Sequence, residues 1–143
     1  MNMSNREFNL KQAVPFFMVT SIDRSLDFYR GLGFEVKIDW KPKGRIEWCW
    51  LEREAVAIML QEYREGIKPI EKLGQGVSVC FMCNDALALY KEFLQTGLSP
   101  QEPFVGNNLW VVNLKDPDGY NISFESPTDV PEETLYSERI KTN

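Results

Sequence analysis

Leu26-Asp27-Phe28-Tyr29-Arg30-Gly31-Leu32-Gly33 ends a helix-like stretch of this chain, and the segment at 90–97 repeats its pattern 64 residues later. Gly33 then corresponds to Gly97, and Tyr29 to Phe93. The same shift pairs further apolar residues, namely Met18 with Met82, Ile46 with Trp110, Trp48 with Val112, Trp50 with Leu114, Ile58 with Ile122 and Leu60 with Phe124. Two copies of roughly 50 residues are each too short for a stable core, so we expect them to pack together as one domain.

Composition and charge narrow the class of protein. The 143 residues carry 16 basic and 21 acidic side chains, a formal charge of -5, and no histidine. This balance disfavours a nucleic-acid partner, which needs clustered Lys and Arg, and no apolar run approaches the ~20 residues that span a bilayer. Met1 to Gln12 is polar and lacks the apolar core of a secretory signal. Because three cysteines also fit a reducing compartment, we expect a cytoplasmic protein without nucleic-acid or membrane partners.

Each half of the chain reads as strand, helix, strand, strand, strand. Hydrophobic patterns predict strands at 14–20, 34–40, 46–51 and 55–61, and again at 76–83, 101–105, 109–115 and 120–125. Ser21 can cap a first helix that ends at Gly31 and Gly33, and a second helix is predicted from about Asp85 to Thr96. The fold class is therefore α+β. We expect a polar segment at 1–12, a single domain at 13–126 with repeats at 13–62 and 76–126 and a connector at 63–75, and an irregular tail at 127–143.

Alternation along the strands predicts two kinds of sheet face, because successive side chains point to opposite sides. The uniformly apolar set is expected to lie under the helices and comprises Ile46, Trp48, Trp50, Val56, Ile58, Leu60, Trp110, Val112, Leu114, Tyr120, Ile122 and Phe124. The alternate set comprises Glu47, Cys49, Ala57, Met59, Gln61, Val111, Asn113, Asn121, Ser123 and Glu125. This second set is too polar for a dry core, so we expect it to line a cleft. A plain solvated sheet face is the alternative.

Three motifs in fixed order carry a family resemblance: Ser25-Leu26-Asp27-Phe28-Tyr29, then Leu32-Gly33-Phe34, then Asp116-Pro117-Asp118-Gly119-Tyr120 with Phe124-Glu125. The last of them has the residues of a tight turn. Together they resemble the glyoxalase, bleomycin-resistance and extradiol-dioxygenase superfamily (vicinal oxygen chelate proteins), from Val14 to about Ser126. The resemblance implies two tandem βαβββ modules that form curved sheets around a shared cleft, with helices outside, and commonly a homodimer.

The resemblance also implies where a metal would bind. Metalloenzymes of the family place four ligands in the cleft, on the first and last strand of each half. The corresponding positions here are Val14, Met59, Ser78 and Ser123. None of these side chains replaces a histidine or a carboxylate on a divalent ion. Glu125, with Glu47, could supply a displaced ligand set, but two carboxylates alone make a weak oxygen-only site, so we expect neither a metal nor another cofactor.

The cysteines indicate no established kind of site. Cys80 and Cys83 form a C-x-x-C pattern, but on an extended strand residues three apart lie ~10 Å apart on opposite faces, which excludes a disulfide. Cys49 and Cys80 both project into the predicted cleft. One of them could be a reactive thiol, although no histidine exists to lower its pKa.

The aromatic residues suggest a ligand. Trp48, Trp50 and Trp110 belong to the set of side chains that is predicted to face the core. Trp40, in contrast, ends an edge strand beside a Pro/Gly turn. Trp40 is either a stacking ring at the cleft mouth or an edge residue that covers a partner subunit. Metal-free antibiotic-binding relatives hold flat cationic drugs between aromatic rings and acidic groups.

The function expected from these features is therefore metal-free binding, or sequestration, of an aromatic or cationic small molecule, as in bleomycin-resistance proteins. The expected ligand-binding residues are Phe16, Trp40, Glu47, Cys49, Met59, Gln61, Ser78, Asn113, Ser123 and Glu125, with no catalytic residue. Two alternatives remain. One is a glyoxalase-like lyase, isomerase or dioxygenase-type enzyme that uses a cleft carboxylate or a displaced metal. The other is a degenerate dimerisation module.

Overall fold

Each half of the sequence forms one helix and four strands. The structure, a computed structural model, describes residues 8–67 and 69–141, so part of the predicted terminal segments (1–7 and 142–143) and residue 68 of the connector lie outside the described residues. The first half contains β1 (Phe16–Val19), α1 (Ile22–Gly31), β2 (Glu35–Trp40), β3 (Trp48–Arg53) and β4 (Val56–Glu62). The second half contains β5 (Ser78–Met82), α2 (Ala86–Gln95), β6 (Phe104–Gly106), β7 (Leu109–Lys115) and β8 (Asn121–Pro127), and α3 (Tyr136–Lys141) follows.

The two halves have the same sheet topology. Sheet A has the strand order β1-β4-β3-β2, and sheet B has the order β5-β8-β7-β6. In each sheet the first and last strands of the half pair in parallel, and the other neighbours pair antiparallel. The predicted α+β fold of tandem βαβββ modules is thereby confirmed.

The helices start where the sequence predicts. The side chain of Ser21 accepts a hydrogen bond from the backbone N–H of Arg24, and the side chain of Asp85 accepts one from Ala88, so each cap satisfies a free donor of the first turn. α1 and α2 are both 10 residues long and begin at residues 22 and 86, which preserves the 64-residue offset of the repeat.

The apolar faces of both sheets meet in one hydrophobic core. α1 packs on β4, and α2 packs on β7 and β8. Across the two halves, the Phe17 ring stacks on Tyr120 with centroids 4.2 Å apart, and Phe34 lies 5.9 Å from Phe81. Since the core occupies this side of each sheet, the opposite side, here called the open face, points away from it.

A buried carboxylate also ties the two halves together. The Tyr29 hydroxyl of α1 donates to Asp116 Oδ2 at 2.8 Å, and the backbone N–H groups of Asp118 and Tyr120 each donate to Asp116 Oδ1 at 2.9 Å. Gly119 has a φ of 88°, which confirms the predicted tight turn. Burial raises the pKa of Asp116, and these hydrogen bonds oppose that rise because they favour the charged form.

The tail differs from the sequence prediction. Residues 136–141 form α3, whereas an irregular segment was expected. The Tyr136 ring makes edge contacts with Tyr90 at 5.3 Å and with Trp110 at 6.5 Å, and Leu135 forms an isolated bridge with Phe104. These contacts with the second half explain a short helix that local sequence does not specify. Trp110 is 5% exposed, which confirms its predicted core position.

Candidate functional site

The open face of sheet A is rich in aromatic side chains. Strand register places Trp40 opposite Trp48, Ile38 opposite Trp50, and Trp50 opposite Met59. β1 adds Phe16, which pairs with Met59 in parallel. Because paired residues share a face, one continuous surface forms. We call this surface the aromatic face; it comprises Phe16, Ile38, Trp40, Trp48, Trp50, Met59 and Gln61.

Much of the aromatic face is exposed to solvent in the single chain. Phe16 is 48% exposed, Ile38 56% and Trp40 45%, while Trp48 and Trp50 are half-buried. The indole nitrogen of Trp50 donates to Glu52 Oε2 at 2.7 Å, which holds that ring in place and puts a carboxylate at the edge of the face. Contiguous exposed apolar surfaces of this kind are typical of binding or interaction sites.

The prediction of which β3 side chains face the core is wrong. Cys49 and Leu51 are fully buried and pair with Leu60 and Ile58, so they lie in the core, and the tryptophans on either side of Cys49 take the open face. Cys49 is therefore not a cleft residue, and burial raises its pKa to about 11. Both alternating sets of this strand are largely apolar, and in such a strand a shift of one residue reverses every side chain.

The same error affects the predicted position of Glu47. It immediately precedes β3, and its carbonyl accepts the backbone N–H of Glu62 in continuation of the ladder. By alternation it shares the helix side with Cys49 rather than the open face. The expected placement of Glu47 in the cleft is therefore wrong. Glu125 lies in sheet B.

The open face of sheet B is polar. Three rows cross it, set by the strand register: Ser78, Asn121 and Lys115; then Cys80, Ser123 and Asn113; then Met82, Glu125 and Val111. We call this surface the polar face. The parity predicted for β7 and β8 is correct here, because polar side chains mark one side of each strand and Val112, Ile122 and Phe124 fill the core on the other.

Glu125 sits at the centre of a small hydrogen-bonded cluster. Cys80 Sγ donates to Glu125 Oε2 at 2.7 Å, and Ser123 Oγ donates to the same oxygen at 2.9 Å. Burial raises the pKa of the Cys80 thiol, and the hydrogen bond to Glu125 raises it further. The thiol therefore stays protonated at neutral pH. The cluster thus presents a fixed carboxylate and a thiol of low nucleophilicity to the polar face.

The structure divides the predicted site residues between the two sheets. Phe16, Trp40, Met59 and Gln61 lie on the aromatic face, and Ser78, Asn113, Ser123 and Glu125 lie on the polar face. Among the described residues, no side-chain hydrogen bond, ion pair or ring contact joins the two faces. The sequence analysis missed Trp48, Trp50 and Ile38 as open-face residues. The available signal was that Cys49 and Leu51 are also apolar and alternate with the tryptophans, so either side of β3 could have faced the core.

The residues at the implied metal positions do not fit a metal. Met59 lies on sheet A, whereas Ser78 and Ser123 lie on sheet B, and Val14 precedes β1 by two residues. A thioether, two neutral hydroxyls and an alkyl group are poor ligands for a divalent ion. In residues 8–67 and 69–141, no group of three or more His, Cys, Asp or Glu side chains is placed to hold a metal ion.

The family of the chain follows from comparison with known proteins. The profile of the Glyoxalase/Bleomycin resistance protein/Dioxygenase superfamily matches residues 11–124. The chain belongs to this superfamily. No functionally curated protein matches its sequence significantly. Within the described part of this superfamily member, no helix has the length and apolar character needed to cross a bilayer.

Solved structures share the superfamily fold at low sequence identity. A bleomycin-binding protein in complex with bleomycin is 20% identical, with a TM-score of 0.65 over 82% of this chain and 98% of its own. A bleomycin resistance determinant encoded on the transposon Tn5 is 20% identical, with a TM-score of 0.66 over 85% of this chain and 100% of its own. TioX from Micromonospora sp. ML1 is 16% identical, with a TM-score of 0.66 over 82% and 98%.

Proposed function

We propose that this superfamily member binds a planar aromatic small molecule on the aromatic face and sequesters it without chemical change. The observation that carries this proposal is the presence of three indole rings and Phe16 on one partly exposed sheet face. Rigid aromatic side chains offer a large contact area, and an aromatic pair contributes ~0.5–1.5 kcal/mol beyond simple burial. A structural neighbour that binds bleomycin is consistent with such a ligand.

The charges near the two faces favour a ligand with a cationic group in contact with the aromatic rings. Glu52 lies beside Trp50, Glu125 lies on the polar face, and the whole chain carries a charge of -5. A cation over an indole gains ~0.5–1 kcal/mol when exposed and more when desolvated. The carboxylates of Glu52 and Glu125 add to the attraction of a cationic ligand, and this binding involves no covalent step.

The chemistry of the polar face supports binding over catalysis. The four positions implied for a metal carry no good ligand, and Glu47 lies on the helix side of β3. Glu125 on the polar face and Glu52 beside Trp50 are the carboxylates that remain for an acid–base role, and both accept hydrogen bonds from protein groups. An enzyme of the lyase or isomerase type would have to rely on these two carboxylates.

We also propose that the ligand site is completed in a homodimer, with the domain at 13–126 as its unit. A twofold axis can bring the aromatic face of one copy against the polar face of the other, twice, which closes two identical clefts. Exposed apolar residues on both faces support this proposal. They are Phe16, Ile38 and Trp40 on the aromatic face and Met82, which is 59% exposed, on the polar face. Light scattering at micromolar concentration should then give about twice 16.6 kDa, and a strictly monomeric mass would contradict the paired cleft.

A binding titration tests the proposed function. Bleomycin and a planar cationic dye such as proflavine would be titrated by calorimetry into the wild type and into Trp40→Ala and Trp48→Ala variants. We expect each truncation to weaken binding by several-fold, because each removes one stacking surface. A Trp110→Phe variant is the matched control, since that ring lies in the core. Affinities that do not change in the two open-face variants would refute the aromatic face as the site.

A further inference from the structure

The polar face ends in a cavity that the proposed function does not use. A space of about 630 Å³ lies between the connector and the turn before β8. Its walls include Lys72, Gly76, Ser78, Lys115 and Asn121. Ser78, Asn121 and Lys115 form the first row of the polar face, so the cavity is continuous with that face.

The backbone fixes the walls of this cavity. The N–H of Gly74 donates to the carbonyl of Asp118 at 3.0 Å. A Cβ atom on Gly74 would collide with the backbone of Gly119 and Tyr120, so the connector can dock on the turn only with glycine at this position. Gly76 has a φ of 79° and no heavy atom near the place of a Cβ, which leaves the cavity open above Ser78.

The cavity walls carry two lysines and one aspartate, so their net charge is positive. Lys72 and Lys115 are exposed, and among the described residues no carboxylate lies within ion-pair distance of either ammonium group. Asp118 also lines the cavity. Its two oxygens accept hydrogen bonds from Thr20, at 2.6 Å from the hydroxyl and 3.2 Å from the backbone nitrogen. These neutral donors leave its charge in place, so Lys72, Lys115 and Asp118 together carry one net positive charge.

A neutral donor completes the site. The Asn121 side-chain N–H donates to Ser78 Oγ at 3.0 Å. Because that oxygen already accepts a hydrogen bond, the hydroxyl hydrogen of Ser78 is free to donate into the cavity. Two ammonium groups and one hydroxyl donor around an open space of this size are suited to an oxyanion.

We propose that this cavity binds an anionic group of the ligand, a carboxylate, sulfonate or phosphate. The ligand class is then a planar aromatic compound that bears an acidic group at one end, apart from the cationic group favoured at the rings. This inference rests on the proposed function for the aromatic part of the ligand, and on the proposed homodimer for bringing the aromatic face close to the polar face. The rows of the polar face are two residues apart, about 7 Å, so Glu125 is four residues from Asn121 and far enough away not to repel the anion directly.

Two fluorescent probes that differ by one sulfonate test the inference. They are 8-anilino-1-naphthalenesulfonate and its neutral counterpart N-phenyl-1-naphthylamine. The wild type should bind the sulfonate more tightly than the neutral probe. The K72M/K115M variant should lose up to about tenfold in sulfonate affinity, since an exposed charge pair contributes at most several-fold each. Its affinity for the neutral probe should not change. The K11M/K91M variant makes the same charge change at exposed positions outside the cavity and should behave like the wild type.

The outcomes separate this inference from the proposed function. Equal affinity of the wild type for both probes, or equal sulfonate losses in the two double variants, would overturn the anion site and leave the aromatic face intact. If neither probe binds, the proposed function fails, and inorganic sulfate decides the anion site alone. NMR of ¹³C-methylated lysines should then show sulfate-dependent shifts at Lys72 and Lys115 that saturate, with assignments from the single Met variants. Non-saturating shifts shared by all lysines would overturn it.

Discussion

Replacing Tyr29 by Phe removes one hydrogen bond from the carboxylate that joins the two halves. The Tyr29 hydroxyl lies 2.8 Å from Asp116 Oδ2, and both residues are buried. A hydrogen bond to a charged group contributes ~1.5–3 kcal/mol, and the vacated oxygen has no other side-chain donor among the bonds of the described residues. With roughly 3–4 °C per kcal/mol for a chain of this size, the Tm should fall by about 5–10 °C.

Tyr120→Phe is a matched control for the same chemical change. The Tyr120 hydroxyl donates to the backbone carbonyl of Met18 at 2.8 Å, which is a neutral acceptor. Its loss should cost only ~0.5–1.5 kcal/mol. Urea unfolding of the wild type and both variants gives the free energies of unfolding directly.

The stability lost in Tyr29→Phe should depend on pH, and this dependence tests the charged hydrogen bond a second time. Burial places the folded-state pKa of Asp116 above its ordinary value of 3.8, so the folded protein takes up this proton at a higher pH than the unfolded chain does. As pH falls through that folded pKa, Asp116 becomes neutral and the bond from Tyr29 weakens. The difference between wild type and Tyr29→Phe should therefore be largest at pH 7 and smaller near pH 4. A loss no larger than that of Tyr120→Phe, or one that is the same at both pH values, would refute the charged link between the halves.

Further predictions concern the core, an ion pair and a thiol. Trp110→Ala should cost ~3–5 kcal/mol of unfolding free energy as a large core truncation, whereas Trp40→Ala should leave the Tm nearly unchanged; the reverse order would contradict the assignment of faces. The Arg45 guanidinium, bound to both oxygens of Glu62, holds the pKa of that carboxyl below its ordinary value of 4.5. The stability that this ion pair gives is present above pH 4.5 and is lost as the pH falls below it. The midpoint of urea unfolding should therefore fall less steeply with decreasing pH in Glu62→Gln than in the wild type. An equally steep fall would exclude the effect. Because burial and a carboxylate raise the pKa of Cys80, iodoacetamide should label it more slowly at pH 7.5 than it labels free cysteine; labelling as fast as free cysteine would show a thiolate.

The sequence predicts the fold well where its signals are local or repeated. The 64-residue offset, the caps Ser21 and Asp85, and the turn at Gly119 all reappear in the structure. The caps and the turn depend on short-range backbone chemistry, and the offset is an internal repeat; a single sequence displays both. The helix at 136–141 was not predictable in the same way, because it depends on contacts of Tyr136 with rings far away in the sequence.

The site was predictable only where polarity distinguishes the two sides of a strand. In β7 and β8, Asn113 and Ser123 alternate with buried apolar residues, and their face was predicted correctly. In β3 both sides are apolar, and the face is decided by pairing with β4, which places Cys49 against Leu60. Pairing of distant strands is tertiary information, so the aromatic face became visible only in three dimensions.

Fluorine NMR of the protein labelled with 5-fluorotryptophan tests the central claim most directly, since the chain has four tryptophans and each gives one signal. The signals would be assigned by single Trp→Phe variants and followed during a titration with N-phenyl-1-naphthylamine or bleomycin. The account predicts saturable shifts for Trp40, Trp48 and Trp50, which share the aromatic face, and none for Trp110, which lies in the core. A bound ligand that leaves the three open-face signals unmoved would contradict the account.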